Sequence, residues 1–318
     1  HTLLVAPRGA GKTHTLRVAL HRSLSDASTM KTVLPVLIAE DSLAIGSYAD
    51  LLVEMARALG PEAADEARAL RRARDPVGIE ALVIQAADGR MILLAVENLD
   101  RVFDAIGVTG QGSLRAWVET STAVLVFGTA PALFPGVASR EFPWYGSFII
   151  EALPELSADD AAMLLRGAAQ RRGDEDLATF LASDVGRARV AEVHRVIGGT
   201  PRRWHLLAEG VDAAGLDAVT PAIEVLLDRL APQYQQLLWQ LPAGEQRLIV
   251  ELARGPGPRS VSDLAEAVGV SNQSASTALG RLAAERWVTS SKDDGDRRTS
   301  WYDLTDALLR SYLQYRDR

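Results

Sequence analysis

The hydrophobic positions in the first half of the chain fall into short apolar runs separated by longer amphipathic stretches. Short runs rich in β-branched residues predict buried strands, and apolar positions that recur every three or four residues predict helices. The predicted strands are residues 1–6, 32–38, 91–96, 123–127 and 147–150, and the predicted helices are 11–24, 48–59, 62–74, 78–87 and 112–120. Strands that alternate with helices predict an α/β fold whose mostly parallel sheet is covered on both faces.

The second half of the chain has a different pattern. Strand signals stop after residue 153, and helical periodicity continues from Ser157 to about Arg254. Ser157 precedes two aspartates within three residues, which is typical of a helix N-terminus. A stretch rich in glycine and proline at 254–259 then interrupts the pattern. We therefore predict an α/β domain at 1–153, a helical lid at 154–232 and a C-terminal domain at 233–318.

The composition is that of an ordinary globular protein, with 318 residues of which 47% are hydrophobic and 24% are charged. The absence of cysteine excludes a disulfide scaffold, a thiol nucleophile and cysteine-ligated zinc. No apolar run reaches the roughly 18 residues that a membrane span needs, so we expect a cytoplasmic protein without a membrane partner. The chain opens on His1 inside an apolar run, which indicates a piece of a longer protein.

The charge is unevenly distributed. The net charge is −7, whereas residues 240–318 contain 11 basic and 11 acidic side chains and are neutral as a group. All the excess negative charge therefore lies in the residues before 240. Bulk electrostatics does not favour nucleic-acid binding by the whole molecule, and any such contact has to come from a local surface.

Residues 6–13 carry the strongest chemical signal. They match the phosphate-binding loop G-x-x-x-x-G-K-[ST], except that Ala6 replaces the first glycine. The loop lies between a predicted strand and a predicted helix, where backbone N–H groups bind phosphate oxygens. Lys12 would reach the β- and γ-phosphates, and the Thr13 hydroxyl would ligate Mg²⁺. The residues expected to contact ATP or ADP are Pro7, Arg8, Gly9, Ala10, Gly11, Lys12, Thr13 and His14.

A second motif follows the predicted strand 91–96. It reads Glu97, Asn98, Leu99, Asp100 and resembles the second Walker motif, hhhhDExD, of AAA+ and STAND ATPases. The resemblance implies that Glu97 holds Mg²⁺ and that Asn98 occupies the position of the catalytic base. An amide can orient the attacking water but cannot accept its proton, so hydrolysis is expected to be slow or to rely on Asp100. The simpler alternative is a buried strand followed by a polar turn.

Three further positions lie where these families place functional residues. Thr129 follows a strand as the sensor-1 residue does, and Arg140 precedes the last predicted strand as an arginine finger does. An arginine finger would enter a neighbouring subunit and imply a homo-oligomer. Residues 198–204 resemble the G-x-P-R motif of the sensor-2 helix in origin-recognition-like ATPases, with Arg202 preferred over Arg203. Each position also has a purely structural alternative. Thr129 would then only end a strand, Arg140 would be a solvated surface residue, and residues 198–204 would begin an ordinary capped helix.

Residues 260–286 predict a helix-turn-helix. Ser260 and Ser271 are suited to begin the two helices, and Gly269 is suited to end the first. Apolar residues of both helices are expected to pack inward. The residues left on the outer face of the second helix, where they suit base edges and phosphates, are Gln273, Ser276, Thr277 and Arg281.

Residues 287–305 predict a hairpin with a charged tip. With the two preceding helices it resembles the winged helix of MarR-type regulators, whose wing carries D-x-R as residues 296–298 do. The resemblance implies that Arg298, and next Arg297, enter the minor groove of DNA, against repulsion from three aspartates at the tip. The residues after the wing also resemble the tail that follows the winged helix of archaeal-type STAND ATPases. Winged helices also dock proteins, so the sequence leaves both DNA and a protein as candidate partners of this module.

Taken together, the motifs resemble an AAA+ or STAND ATPase with a P-loop domain, a helical lid and a C-terminal winged helix. This resemblance implies a switch that binds ATP and Mg²⁺ and that moves the winged helix on duplex DNA. The alternative is a signalling or defence ATPase whose winged helix docks a protein effector or holds the molecule closed. A small-molecule kinase would share the P-loop but would not explain the lid motif or the winged helix.

Overall fold

The computed structural model describes residues 1–40, 42, 44–216, 219–292 and 299–316. The chain forms two compact units, His1–Pro154 and Glu155–Arg318. Across the described residues, every helix is too short or too polar to serve as a membrane span.

The first unit is built on a parallel sheet. Its strands are β1 (Thr2–Val5), β2 (Val33–Ile38), β3 (Met91–Val96), β4 (Val124–Ala130) and β5 (Ile149–Ala152). Its helices are α1 (Lys12–Leu24), α2 (Ala27–Thr32), α3 (Tyr48–Leu59), α4 (Pro61–Arg72), α5 (Pro76–Ala86), α6 (Leu99–Ser121) and α7 (Pro135–Ala138). All strand pairs are parallel, and the order is β2-β3-β4-β1-β5. The carboxyl ends of β1, β4 and β3 are therefore neighbours at one edge of the sheet.

One face of this sheet forms the core of the first unit. Leu3, Ile92 and Leu94 are fully buried there and belong to one hydrophobic cluster with Met55 of α3 and Phe103 of α6. Burial of a side chain of this size contributes about 1.5–3 kcal/mol. The packing fixes the strands, and with them the positions of the residues that follow each strand.

The predicted α/β class and its parallel sheet are confirmed. Two short helices, α2 and α7, and the first half of α6 were not predicted from the sequence. The first half of α6 was missed because its glycines weaken the helical pattern in the sequence. Gly107, with a φ of 66°, also interrupts the helix. The buried Gln111 stabilises the interruption, because its Nε2 donates to the carbonyl oxygen of Phe103 at 3.0 Å.

The second unit is mainly helical. Its elements are α8 (Ala158–Arg172), α9 (Glu175–Ala182), α10 (Asp184–Ile197), α11 (Pro201–Gly210), α12 (Ala213–Leu216), α13 (Val219–Trp239), α14 (Ala243–Arg254), β6 (Arg259–Ser260), α15 (Val261–Val268), α16 (Asn272–Ala284), β7 (Val288–Lys292), β8 (Ser300–Leu304) and α17 (Ala307–Arg316). Ser157 begins α8 in a capping box with Asp160, as the sequence predicts. The three short strands form an antiparallel sheet in the order β6-β8-β7.

A single hydrophobic core runs through the second unit. It joins Leu165 of α8 and Trp204 of α11 to Leu252 of α14 and Leu282 of α16. Helix α13 crosses residue 232, where the sequence suggested a domain boundary. The segments assigned to the lid and to the C-terminal domain thus share one core.

A polar network also joins α11 to the end of the chain. The guanidinium of Arg203 donates to the carbonyl oxygen of Ile197 at 2.7 Å and to Oδ1 of Asp306 at 2.8 Å. Tyr234 of α13 donates its hydroxyl to Oδ2 of the same aspartate at 2.9 Å. Burial and the neighbouring Asp306 carboxylate raise the pKa of this tyrosine well above its ordinary value, so it stays a hydrogen-bond donor. Asp306 therefore ties three helices together.

Two helical glycines of the second unit provide a test of this packing. A Cβ on Gly186 would overlap the backbone carbonyl of Phe180, whereas a Cβ on Gly167 would meet only the flexible end of Arg171 at 3.5 Å. We expect Gly186→Ala to lower the free energy of unfolding by about 1–3 kcal/mol. We expect Gly167→Ala to raise it by about 0.5–1 kcal/mol, because alanine is the better helix former. Urea unfolding followed by circular dichroism measures both, and equal stability of the two variants would contradict the packing.

Candidate functional site

The loop between β1 and α1 has the backbone of a phosphate-binding turn. Gly9 and Gly11 have φ of 83° and 90°, in the left-handed region that glycine adopts without strain. Ala6, in the position of the first motif glycine, is not among the described residues with positive φ, and its N–H donates to Ala130 at 3.2 Å. Alanine therefore fits the position, and the departure from the motif has no geometric cost.

Lys12 lies inside this loop. Its side chain is 8% exposed, and its ammonium donates to the carbonyl oxygens of Ala6 at 2.6 Å and Pro7 at 3.0 Å. Burial lowers the pKa of Lys12 from its ordinary value, while the negative charges of Asp100 and Glu40 oppose that shift. The ammonium is thus held among backbone oxygens that a phosphate group could replace as acceptor.

Glu97 follows β3 and is almost fully buried, with 4% of its surface exposed. Its Oε2 accepts a hydrogen bond from the backbone N–H of Glu40 at 3.2 Å. Its Oε1 lies 3.4 Å from Nε of Arg17 but makes no hydrogen bond. An ion-pair distance without hydrogen-bond geometry leaves this buried oxygen only partly satisfied, and it has lone pairs to offer a cation.

Asn98 and Thr129 form the junction between β3 and β4. Asn98 has a left-handed backbone with φ of 53° and ψ of 59°, which asparagine tolerates better than most residues. Its backbone N–H donates to Oγ1 of Thr129 at 3.1 Å, and Thr129 is 1% exposed. The structure therefore brings the two sequence-predicted residues together and gives a conformational reason for the asparagine.

Asp100 lies in the first turn of α6. Its Oδ1 is buried without a hydrogen-bond partner, and burial raises the pKa of the carboxyl group. The charge of Asp100 also acts on Lys12, so the two side chains belong to one site. Buried polar atoms are normally hydrogen-bonded, and those that are not often mark a position for an ion or water.

These residues fit a nucleotide with its Mg²⁺ ion. The loop provides two left-handed glycines and a buried lysine, and the end of β3 provides two carboxylates, each with a buried oxygen that lacks a hydrogen bond. Mg²⁺ in nucleotide sites binds one or two carboxylates together with phosphate oxygens and water. The chemistry of these donors therefore suits the phosphate groups of a nucleotide and a Mg²⁺ ion.

Arg140 lies in a turn after α7. It is exposed, and its guanidinium carbon is 5.8 Å from the centroid of the Tyr145 ring. A cation over an aromatic face is held weakly, by about 0.5–1 kcal/mol at an exposed site. The side chain is therefore oriented by Tyr145 and accessible from outside.

The two arginines of the predicted sensor-2 motif have different surroundings. Both are at the start of α11, which begins at Pro201. Arg202 is exposed, whereas Arg203 belongs to the network with Asp306. Only Arg202 therefore presents an exposed guanidinium at the start of this helix.

Helices α15 and α16 form the predicted helix-turn-helix. Ser260 begins α15 in a capping box, Gly269 ends it with φ of 74°, and the hydroxyl of Ser271 accepts the N–H of Ser274 at 3.2 Å. The second helix buries Ala275, Ala278, Leu279 and Leu282. The four residues predicted to face outward, Gln273, Ser276, Thr277 and Arg281, are all exposed.

Much of the positive charge in this module is neutralised within it. Arg281 of α16 makes an ion pair at 2.8 Å with Glu245 of α14, a carboxylate that is 4% exposed. Three more arginines are paired with acids: Arg254 and Arg259 with Glu251, and Arg310 with Asp303. The predicted wing arginines, Arg297 and Arg298, and the tip aspartates Asp293, Asp294 and Asp296 lie outside the described residues.

Three residues of these sites were not identified from the sequence. Glu40 lies two residues after the end of the predicted strand 32–38, and its place beyond the carboxyl end of a parallel strand was a usable signal. Arg17 lies five residues after Lys12 on α1, and Glu245 lies one helix before the helix-turn-helix. No local motif marks either of these two, because both act through contacts between distant parts of the chain.

The contact between Asn98 and Thr129 is testable. Thr129→Val keeps the shape of the side chain but leaves the N–H of Asn98 without its acceptor, which costs about 1–3 kcal/mol. Thr129→Ser keeps the acceptor and loses one methyl group, at about 0.8 kcal/mol. Urea unfolding is expected to rank wild type above Ser and Ser above Val. A valine variant as stable as the serine variant would show that this hydrogen bond does not hold the turn.

Comparison with known proteins finds one family in the C-terminal part of the chain. The MarR family matches residues 239–299. No curated protein sequence is similar enough to count as a relative.

Solved structures resemble the whole chain. A Walker-type ATPase of Pyrococcus abyssi aligns with a TM-score of 0.60 and 14% identity, over 98% of this chain and 90% of its own. The Orc1 protein of Aeropyrum pernix, solved in complex with DNA, aligns with a TM-score of 0.55 and 16% identity, over 99% of this chain and 86% of its own. At such identities the likeness shows the fold. The chain thus has the P-loop ATPase fold of these proteins, and it carries a MarR-family winged helix near its C-terminal end.

Proposed function

We propose that the protein binds and slowly hydrolyses ATP and that nucleotide binding controls a DNA-binding winged helix. The observation that carries the proposal is the P-loop, in which Gly9 and Gly11 adopt left-handed backbones around the buried Lys12. The Walker-type ATPase and the DNA-bound Orc1 protein share this fold and support the same reading. The proposal places the chain with AAA+ and STAND ATPases.

The chain's own residues have distinct tasks in such a site. Backbone N–H groups at the start of α1 would bind phosphate oxygens, and Lys12, which now donates to backbone carbonyl oxygens, would donate to the β- and γ-phosphates instead. Thr13, Glu97 and Asp100 would hold Mg²⁺ directly or through water. The ion would neutralise charge that develops on the phosphate oxygens.

Hydrolysis is proposed to be slow because Asn98 has no proton-accepting group. The hydroxyl oxygen of Thr129 accepts a hydrogen bond from the backbone N–H of Asn98 at 3.1 Å and so fixes the turn that carries Asn98. Arg202 of the lid and Arg140 of a neighbouring copy are the proposed additional cations. The proposed role of Arg140 requires that the protein forms a homo-oligomer.

The winged helix is the proposed contact with duplex DNA. Gln273, Ser276 and Thr277 are exposed on α16, where polar side chains can reach base edges in the major groove. The described part of the module pairs several arginines with acids, so we propose that base contacts and the wing supply more of the affinity than the charge of α16 does.

One observation favours a second function. Arg281, the basic residue of the recognition helix α16, is neutralised by its ion pair with the buried Glu245. A winged helix with a neutral recognition face is also suited to dock a protein effector, as a signalling or defence ATPase would require. The DNA-binding experiment below separates the two.

Nucleotide binding tests the P-loop. Lys12→Ala removes the cation that would contact the phosphates, and loss of such a charged partner costs about 2 kcal/mol or more, or about 30-fold in affinity. Titration with a fluorescent ATP analogue and Mg²⁺ measures the change. Lys31→Ala, an exposed lysine on α2, is the matched control and is expected to bind as wild type does. Equal affinity of both variants would exclude the P-loop as the site.

Duplex binding tests the winged helix. A labelled duplex of about 30 base pairs is long enough for one winged-helix site. We expect affinity to respond to ATP, to fall as salt rises and to drop by about fivefold or more in Gln273→Ala, since a base contact contributes about 1–3 kcal/mol. Gln236→Ala, exposed on α13, is the control. Absence of binding at low salt with and without ATP would favour the protein-docking function.

A further inference from the structure

Glu245 is a buried carboxylate beside the recognition helix. It lies in the first turn of α14 and is 4% exposed. Its Oε1 lies 2.8 Å from Nη2 of Arg281, whose side chain is 63% exposed. Within the part of the chain that the structure describes, Arg281 is the one cation paired with this acid. Leu248 of α14 and Leu282 of α16 are buried in the same core, so the packing of the two helices fixes where the acid and the arginine meet.

The burial of Glu245 keeps Arg281 beside it. A buried carboxylate that loses its cation is left as an uncompensated charge, which is strongly unfavourable. The N-terminal end of α14 supplies only a partial positive charge next to the acid. A DNA phosphate that drew Arg281 away would therefore leave Glu245 uncompensated, whereas a group that binds the outward N–H groups of Arg281 would leave the ion pair intact.

Arg281 keeps N–H groups for a second partner. A guanidinium carries five N–H donors, and the ion pair is made through Nη2. Arg281 lies four residues after Thr277 and eight after Gln273, so these three exposed side chains lie on one face of α16. Eight residues of helix rise about 12 Å, which is the length of about three to four base pairs. Arg281 is thus exposed on the face of α16 that the proposed function places against DNA.

The ion pair determines which group of DNA Arg281 is suited to contact. A phosphate attracts arginine through its charge, and Glu245 already compensates that charge. A guanine base is recognised by geometry instead, because arginine donates two hydrogen bonds to its O6 and N7 atoms. A guanidinium held in place by a buried acid suits this geometry, since it loses less conformational freedom on binding.

We propose that Glu245 is a positioning residue of the DNA-binding surface, which holds Arg281 as a fixed donor to a guanine base edge and keeps its charge from the phosphates. The pair thereby raises sequence preference and lowers general affinity for duplex DNA. This inference rests on the proposed DNA-binding function, and it names the chemical group that this face of α16 recognises.

The variant Glu245→Gln tests the restraint on Arg281, because it removes the negative charge and keeps the size of the side chain. The released arginine is expected to reach one more phosphate, so the slope of log affinity against log salt becomes more negative by about 0.9. At a salt concentration of about 50 mM, this slope corresponds to about tenfold tighter binding of a duplex of about 30 base pairs. Fluorescence anisotropy measures both quantities. Glu266→Gln, exposed on α15, removes the same charge from the same module and is expected to keep the wild-type slope.

The double variant Glu245→Gln/Arg281→Met tests the contact with guanine. It removes the donors of Arg281 and leaves no buried charge unpaired, so the wild-type salt slope is expected. Selection from a pool of randomised duplexes gives the preferred wild-type site, and each G·C pair of that site is then replaced by A·T. We expect one guanine whose replacement weakens wild-type binding by about fivefold or more. The double variant is expected to lose that preference, and Glu245→Gln to retain only part of it.

A wild-type salt slope in Glu245→Gln, or a wild-type guanine preference in the double variant, would overturn the proposal. So would wild-type protein that binds duplexes without preferring guanine. Urea unfolding checks that both variants are folded, and if Glu245→Gln is unfolded, the double variant decides. A role of Glu245 limited to the fold would change neither the slope nor the preference of a folded variant. Wild-type protein that binds no duplex at low salt would refute the DNA-binding function itself.

Discussion

Parallel strand pairing is the constraint on which the nucleotide site depends. Because β1, β3 and β4 run in the same direction, the residues that follow them gather at one edge, where the strand ends leave backbone groups to be satisfied by turns. The fully buried apolar face of the sheet holds this edge rigid. The sheet therefore fixes the backbone positions of the residues that make the polar contacts of the site, from Lys12 to Thr129.

Sequence patterns predicted most of what is locally encoded. The strands that precede the P-loop and Glu97 are continuous apolar runs, and the caps at Ser157 and Ser260 are local hydrogen-bonding motifs. The first half of α6 escaped prediction because its glycines obscure a helix that tertiary packing stabilises. Because the helix is interrupted at Gly107, its apolar residues do not recur at one regular spacing along the sequence.

The candidate sites show the same division between local and distant information. Lys12, Glu97 and Asp100 stand at fixed spacings within one loop or one strand end, so a single segment reveals them. The positions of Glu40 and Arg17 beside Glu97 depend on which strand and helix are neighbours of β3. The pairing of Arg281 with Glu245 likewise depends on the packing of α14 against α16, and it changes the charge that the sequence alone assigned to the recognition helix.

The network centred on Asp306 has a mechanical consequence. Arg203 of α11 and Tyr234 of α13 both hold this one carboxylate at the start of α17, and the described residues around them, from α8 to the winged helix, share one hydrophobic core. A force applied at Arg202 would therefore turn the recognition helix as part of a single lever. In a lever, displacement grows with distance from the pivot, so a rotation of α11 would move α16 by more than it moves α11 itself.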